Sequence, residues 1–234
     1  MTTLPYDDPI VLVARRARIG RAGDQAWKVA LHEAGLPSAN VRASFESLDP
    51  SQDPAAFEGA LSYAQGLDKG TPEPELNPLA AFGDLEALVA QTTKPGLLLM
   101  GPPGNGKTSL AIAIARYYAQ ETKGQRSIRF WQVAELLDKV RASFRGDDDT
   151  TVVDLIRGCD LLVLDDLGQQ RVTDWSSSQI RDLMQYLWAE GRQVVITTNL
   201  SIQALEDFLG AEASISRLLG SCSVVELSGR DRRL

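Results

Sequence analysis

The 234-residue chain has two cysteines, Cys159 and Cys222, and a single histidine, His32. Two cysteines cannot build a disulfide framework, nor, with one histidine, a four-ligand Cys/His zinc site. Ser-His or Cys-His catalysis would have to pass through His32. Long apolar stretches are missing as well. Leu97 to Met100 and Leu161 to Leu164 are short runs, and nothing approaches the roughly 20 residues a membrane-spanning helix needs. Positive charge is scarce: 24 Lys and Arg against 31 Asp and Glu give a net charge of −7. That balance argues against a protein that coats nucleic acid by bulk attraction. Near the start, Asp7 and Asp8 precede a short apolar run, unlike a secretory signal. These absences lead to the expectation of a cytoplasmic protein with no membrane partner.

What is present is globular. A hydrophobic fraction of 44% and a charged fraction of 24% are enough to bury a core, and the length suits one sizeable domain, alone or with a small appendage. Charge is uneven: residues 41–100 hold nine acidic and three basic side chains, whereas arginines cluster at 15, 16, 18 and 21 and again at 230, 232 and 233. An acidic protein can still carry a locally basic groove.

Apolar spacing predicts helices over 9–35, 57–66 and 79–91, with a proline-rich loop at 67–78. From residue 95 the rhythm changes. Strands are expected at 96–100, 127–131, 160–165, 193–197 and 223–227, alternating with helices at 107–120, 133–144, 150–157, 175–189, 202–209 and 214–219. Such alternation means a parallel sheet covered on both faces, with ligands beyond the carboxyl ends of its strands.

Five motifs are candidates for chemistry, the last of them SGRDRR, residues 228–233, which reads equally well as a basic tail. GPPGNGKT, residues 101–108, fits the phosphate-loop pattern and stands between an expected strand and an expected helix. Gly101, Gly104 and Gly106 let the backbone turn its N–H groups inward on phosphate oxygens. Pro102, Pro103 and Asn105 complete the loop, and Ser109 follows it on the helix. Lys107 is the group for the β- and γ-phosphates, and Thr108 offers a hydroxyl to Mg²⁺. CDLLVLDDLG, residues 159–168, is a buried strand ending in two carboxylates. Asp165 is the candidate metal ligand and Asp166 the candidate for orienting or deprotonating water. VVITTNL, residues 194–200, ends in Thr197, Thr198 and Asn199. The Asn199 amide suits a place between the γ-phosphate and the attacking water. ISRLLG, residues 215–220, holds Arg217, either a surface arginine or one that reaches a neighbour's ATP site. The indoles Trp27, Trp131 and Trp188 read most simply as packing residues, and Trp175, in a polar stretch, either as packing on its own helix or as a base-stacking aromatic.

In that order, GLLLMGPPGNGKTSLA, CDLLVLDDLG, VVITTNL and ISRLLGSCSVVELSGRDRR resemble the DnaC/DnaI-type bacterial helicase loaders of the AAA+ ATPases. The related IstB transposition helpers share much of the pattern. The resemblance covers roughly residues 40–233. It implies a five-stranded parallel sheet in the order 5-1-4-3-2, without a separate C-terminal lid, and a division into an N-terminal helical segment (1–40) that grips the helicase and an ATPase domain (41–234). It implies ATP and Mg²⁺ as cofactors and Arg217 acting between subunits of an ATP-dependent oligomer. Arg232, or its neighbour Arg233, would be a second sensor arginine. Phe144, Thr173 and Trp175 would fall on single-stranded DNA. The implied activity is ATP-dependent loading of a hexameric replicative helicase onto single-stranded DNA. The alternatives are a transposition helper acting on duplex DNA and an ATP-binding adaptor with little turnover. The chain departs from the pattern in lacking any N-terminal cysteine for zinc, and in carrying Asp166 where many AAA+ enzymes have glutamate.

Overall fold

The computed structural model describes residues 23–37, 42–67, 95–143, 151–169, 173–210 and 212–229. The expected helix at 79–91, both arginine clusters with Arg232 among them, and Phe144 lie outside them. Among the described residues the elements run α1 (Ala26–Glu33), α2 (Pro54–Leu67), β1 (Gly96–Met100), α3 (Lys107–Glu121), β2 (Ile128–Gln132), α4 (Val133–Ser143), α5 (Val152–Ile156), β3 (Leu161–Leu167), α6 (Asp174–Ala189), β4 (Gln193–Thr198), α7 (Ile202–Leu209), α8 (Glu212–Ser221) and β5 (Cys222–Glu226). The strands form one parallel sheet in the order β2-β3-β4-β1-β5, the expected order read from its other edge.

The strands are apolar on both faces because both faces are covered. Alternation then sorts their side chains between two cores. Leu97, Leu99, Leu161, Val163 and Val195 face α1, α2 and α3, while Leu98, Met100, Leu162, Leu164, Val194 and Ile196 face α4 to α8. Helix α3 is buried along Leu110 to Ala115, since α1 and α2 pack over its outer side. The segment before α2 joins this layer through Phe45, whose ring meets Phe57 at 5.5 Å and Tyr117 at 6.1 Å, both edge to face. The sheet edge at β2 is covered: the Phe130 N–H donates to the Ala34 carbonyl just past α1, at 2.7 Å.

Two local features shape the site. Strand β3 runs two residues beyond the expected end, and its pairing with β4 shifts register between Leu164 and Leu167. Within that bulge Asp166 adopts φ +61°, a left-handed conformation uncommon for an aspartate. Helix α2 starts at Pro54, with Asp53 Oδ1 accepting from the Ala56 N–H. The other oxygen of Asp53 accepts from the Ser228 N–H, joining α2 to the chain after β5.

Candidate functional site

The phosphate loop leaves the carboxyl end of β1 and enters α3 through Gly106, whose φ of +97° suits glycine and leaves no side chain to cap the helix. The first N–H groups of α3 therefore have no side-chain cap from that residue, a favourable setting for an anion. Lys107 is 5% exposed. Its ammonium donates to the carbonyls of Gly101 and Pro102, both at 2.7 Å, and to Asn105 Oδ1 at 3.1 Å. Asn105, 1% exposed, donates in turn to the Leu227 carbonyl at 2.7 Å. Gly101, at φ +140°, lies so close to that carbonyl and to the Asn105 amide that a Cβ there would clash with both. The loop is thus fixed to its own lysine and to the residue that follows β5.

Alternation along β3 and β4 turns Asp165 and Thr197 toward the α3 layer, where Thr108 begins the helix. Thr108 and Thr197 hydroxyls both donate to Asp165 Oδ1, at 2.9 and 2.7 Å. Thr197 Oγ1 also accepts from the Asp166 N–H at 2.9 Å, so one hydroxyl holds both residues of the carboxylate pair. Asp165 is 1% exposed. Burial pushes its carboxyl above the ordinary range, while the Thr197 and Thr108 hydroxyls pull it back down. Asp166 is more open, and its carboxylate accepts from Gln169 Nε2 at 2.8 Å. Thr198 donates to the Leu167 carbonyl, and its Oγ1 accepts from the Leu200 N–H. Asn199 is half-buried just past β4. Since Thr198 pairs with Met100, it follows on the strand beside the one that opens into Gly101. Pro102 and Pro103 are exposed on the loop, and Ser109 is half-buried on α3.

Residues far apart in sequence thus gather at one end of the sheet: Lys107, Thr108, Asp165, Thr197 and Asn199 all lie at the carboxyl ends of β1, β3 and β4. Thr197 was not singled out as a site residue in the sequence, and only its place in the TTN motif pointed to it. A buried carboxylate beside a threonine hydroxyl is the hard-oxygen donor set that Mg²⁺ favours, and the glycine-rich turn with its lysine fits a polyphosphate.

The other candidates lie apart. Thr173 caps α6, its hydroxyl accepting from the Ser176 N–H in a reciprocal capping box. Trp175 is half-buried against the core, with the Arg141 guanidinium 4.6 Å over its ring. Arg217 is exposed on α8, its guanidinium 4.5 Å over the ring of Trp188 on α6. Trp188 is not the packing residue its sequence suggested. It is 47% exposed, because the buried stripe of α6 passes through Ile180, Leu183 and Leu187, and the next residue falls off that stripe. Beside this pair lies a cavity of about 190 Å³, lined by Gly96, Arg181, Arg192, Val194, Leu218 and Cys222 among others. It opens at the amino ends of β1, β4 and β5, opposite the phosphate loop.

A parallel sheet in this strand order, with a phosphate loop at the end of β1 and an acidic pair on β3, defines a P-loop nucleotide-binding protein with the AAA+ fold. The crystal structure of the DnaC helicase loader superposes with a TM-score of 0.61 at 23% identity, covering 82% of this chain and 100% of that one. The crystal structure of DnaI gives 0.60 at 23% identity, over 85% and 95%. The chain belongs to the family of IstB-like ATP-binding proteins, whose model matches residues 78–234. A curated relative, the uncharacterized protein YqaM of Bacillus subtilis (strain 168), is 30% identical over 131 residues. That match takes in 54% of this chain and spans only 40% of the relative.

Proposed function

We propose that this protein is an ATP-hydrolysing loader that places a hexameric replicative helicase on single-stranded DNA. One observation carries the ATPase part of the reading. Lys107, Thr108, Asp165 and Thr197, drawn from three motifs, converge at the carboxyl ends of adjacent strands with the acid buried and hydrogen-bonded. In this reading Gly101 to Ser109 hold ATP, with Lys107 moving from loop carbonyls to phosphate oxygens. Thr108 and Asp165 hold Mg²⁺, which supplies charge neutralisation on the phosphates when bound. Asp166 orients water from the open side of the bulge, and Asn199 lies between water and phosphate.

Arg217 would act only between subunits. It lines the cavity at the amino ends of the strands, and strands of five or six residues at about 3.3 Å each keep it about 16 Å from the phosphate end of its own sheet. Arg232 would serve as a second sensor. Residues 1–40 would grip the helicase and residues 41–234 would form the ATPase domain. Phe144, Thr173 and Trp175 would contact DNA. The fold shared with the DnaC loader supports this reading.

The test is to mix the purified chain with the replicative helicase of its own organism, ATP and Mg²⁺, and to measure the mass of the complex. A defined complex that disappears on deletion of residues 1–38 is expected. No complex under any nucleotide condition would overturn the loader reading. The family match to IstB-like ATP-binding proteins favours one other reading, a transposition helper on duplex DNA. Stimulation of hydrolysis by duplex rather than single-stranded DNA would select it.

A further inference from the structure

Arg217 stacks on a tryptophan, as Arg116 and Arg141 do, but it is exposed and, among the described residues, no carboxylate pairs with its guanidinium. Its partner is the indole face of Trp188, at 4.5 Å. The two residues come from different helices, Trp188 from the last turn of α6 and Arg217 from the middle of α8. A carboxylate would take the in-plane N–H donors of an arginine. An aromatic face stacks on the guanidinium plane and leaves those donors pointing outward, where they match phosphoryl oxygens. Trp188 itself is 47% exposed, although burying so large a ring is strongly favourable. Tryptophan and arginine side by side on an open surface are the residue types that dominate association energy.

We propose that Trp188 is a positioning residue for Arg217 and part of the surface that docks a second copy of this chain. The indole fixes the guanidinium with its donors presented to the partner, and contact with the partner covers the ring. The occupant is a second copy because the phosphate site lies at the opposite end of Arg217's own sheet, so on the reading above the arginine can meet that anion only in another subunit. The inference rests on the reading of Arg217 as an arginine that acts between subunits, and deepens it.

The experiment uses the full chain as wild type, Trp188→Ala, Trp188→Phe and Arg217→Ala, measuring ATP turnover against ATP and protein concentration with single-stranded DNA present. Trp188→Ala is expected to lower kcat about 3- to 10-fold, the scale of a lost cation–π contact, with KM for ATP unchanged. Trp188→Phe is expected to restore most of it. A directional arm separates positioning from a general structural effect. Lys107→Ala subunits lend their arginine but use no ATP, and Arg217→Ala subunits use ATP but lend no arginine. Adding Trp188→Ala to the Lys107→Ala subunit should slow the mixture, and adding it to the Arg217→Ala subunit should not. Equal slowing in both positions, or none in either while Arg217→Ala alone is inactive, overturns the role of Trp188 and leaves that of Arg217 intact. Wild-type turnover by Arg217→Ala alone overturns the reading on which it rests.

Discussion

Thr197 does two jobs with one oxygen: it donates to Asp165 and accepts from the Asp166 backbone. Replacing it with valine keeps the shape and removes both bonds, leaving a partly buried N–H without its acceptor. Thr197→Val should cost about 1–3 kcal/mol of stability in a denaturant titration. The same substitution should raise the Mg²⁺ concentration needed for hydrolysis about 10- to 100-fold, as losing the support of a ligand does. Asp165→Asn should separate the two properties. It removes a buried charge while keeping acceptors for both threonines, so melting of the ligand-free protein should hold or rise while Mg²⁺-dependent turnover disappears. Cys159 lies at the other extreme of reactivity. Burial pushes its thiol up to about 11, with Arg129 and Arg192 only partly opposing. At pH 8 the native protein should leave this thiol unlabelled by a thiol reagent, and unfolding should expose it. The raised value means that the native state holds the proton more tightly than the unfolded chain. Its contribution to stability is therefore complete below the ordinary thiol range and is lost as pH rises toward 11, by at most about 1.4 kcal/mol per pH unit.

Elements meet at places their own sequences do not announce. The Tyr63 hydroxyl, on α2, reaches the carbonyls of Pro95 and Val194 at 2.7 and 3.1 Å and so ties the outer helical layer to the amino ends of β1 and β4. Tyr63→Phe should lower stability by about 1 kcal/mol, read from the denaturation midpoint. Strand and helix identities from β1 onward were legible because apolar runs, glycines and motif residues recur at the right spacing. The phosphate loop was legible for the same reason: its chemistry lies within eight consecutive residues. The bond from Thr197 to Asp165 was not, since it exists only because β4 inserts between β3 and β1, and spacing carries no strand order. That order came from the family resemblance. The bulge at Asp165 and Asp166 was hidden too, because a register shift depends on the partner strand. Trp188 departs from the packing role expected of an indole for a simpler reason: it lies one residue past Leu187, and that single step of rotation puts it outside the buried stripe.

For the whole molecule, two ends of one sheet divide the work. Lys107, Thr108 and Asp165 occupy the carboxyl end, and Arg217 stands beside the cavity at the amino end. If hydrolysis needs both ends, a single subunit is incomplete. Lys107→Ala and Arg217→Ala proteins should each be inactive alone, yet recover part of wild-type turnover when mixed, because some mixed contacts then join an intact phosphate loop to an intact arginine. Turnover per subunit should also rise with protein concentration, and the midpoint of that rise should follow the mass measured by sedimentation.

The amide of Asn105 joins the lysine of the phosphate loop to the carbonyl of Leu227, and the next residue, Ser228, is held by Asp53. A nucleotide that draws Lys107 away from this amide is felt, through one shared side chain, by a stretch of chain 122 residues downstream and by the start of α2. Any fragment of the protein cut back to the last motif strand would lose an anchor of the site itself. The minimal ATP-binding unit therefore extends past β5, into the last segment of the motif pattern.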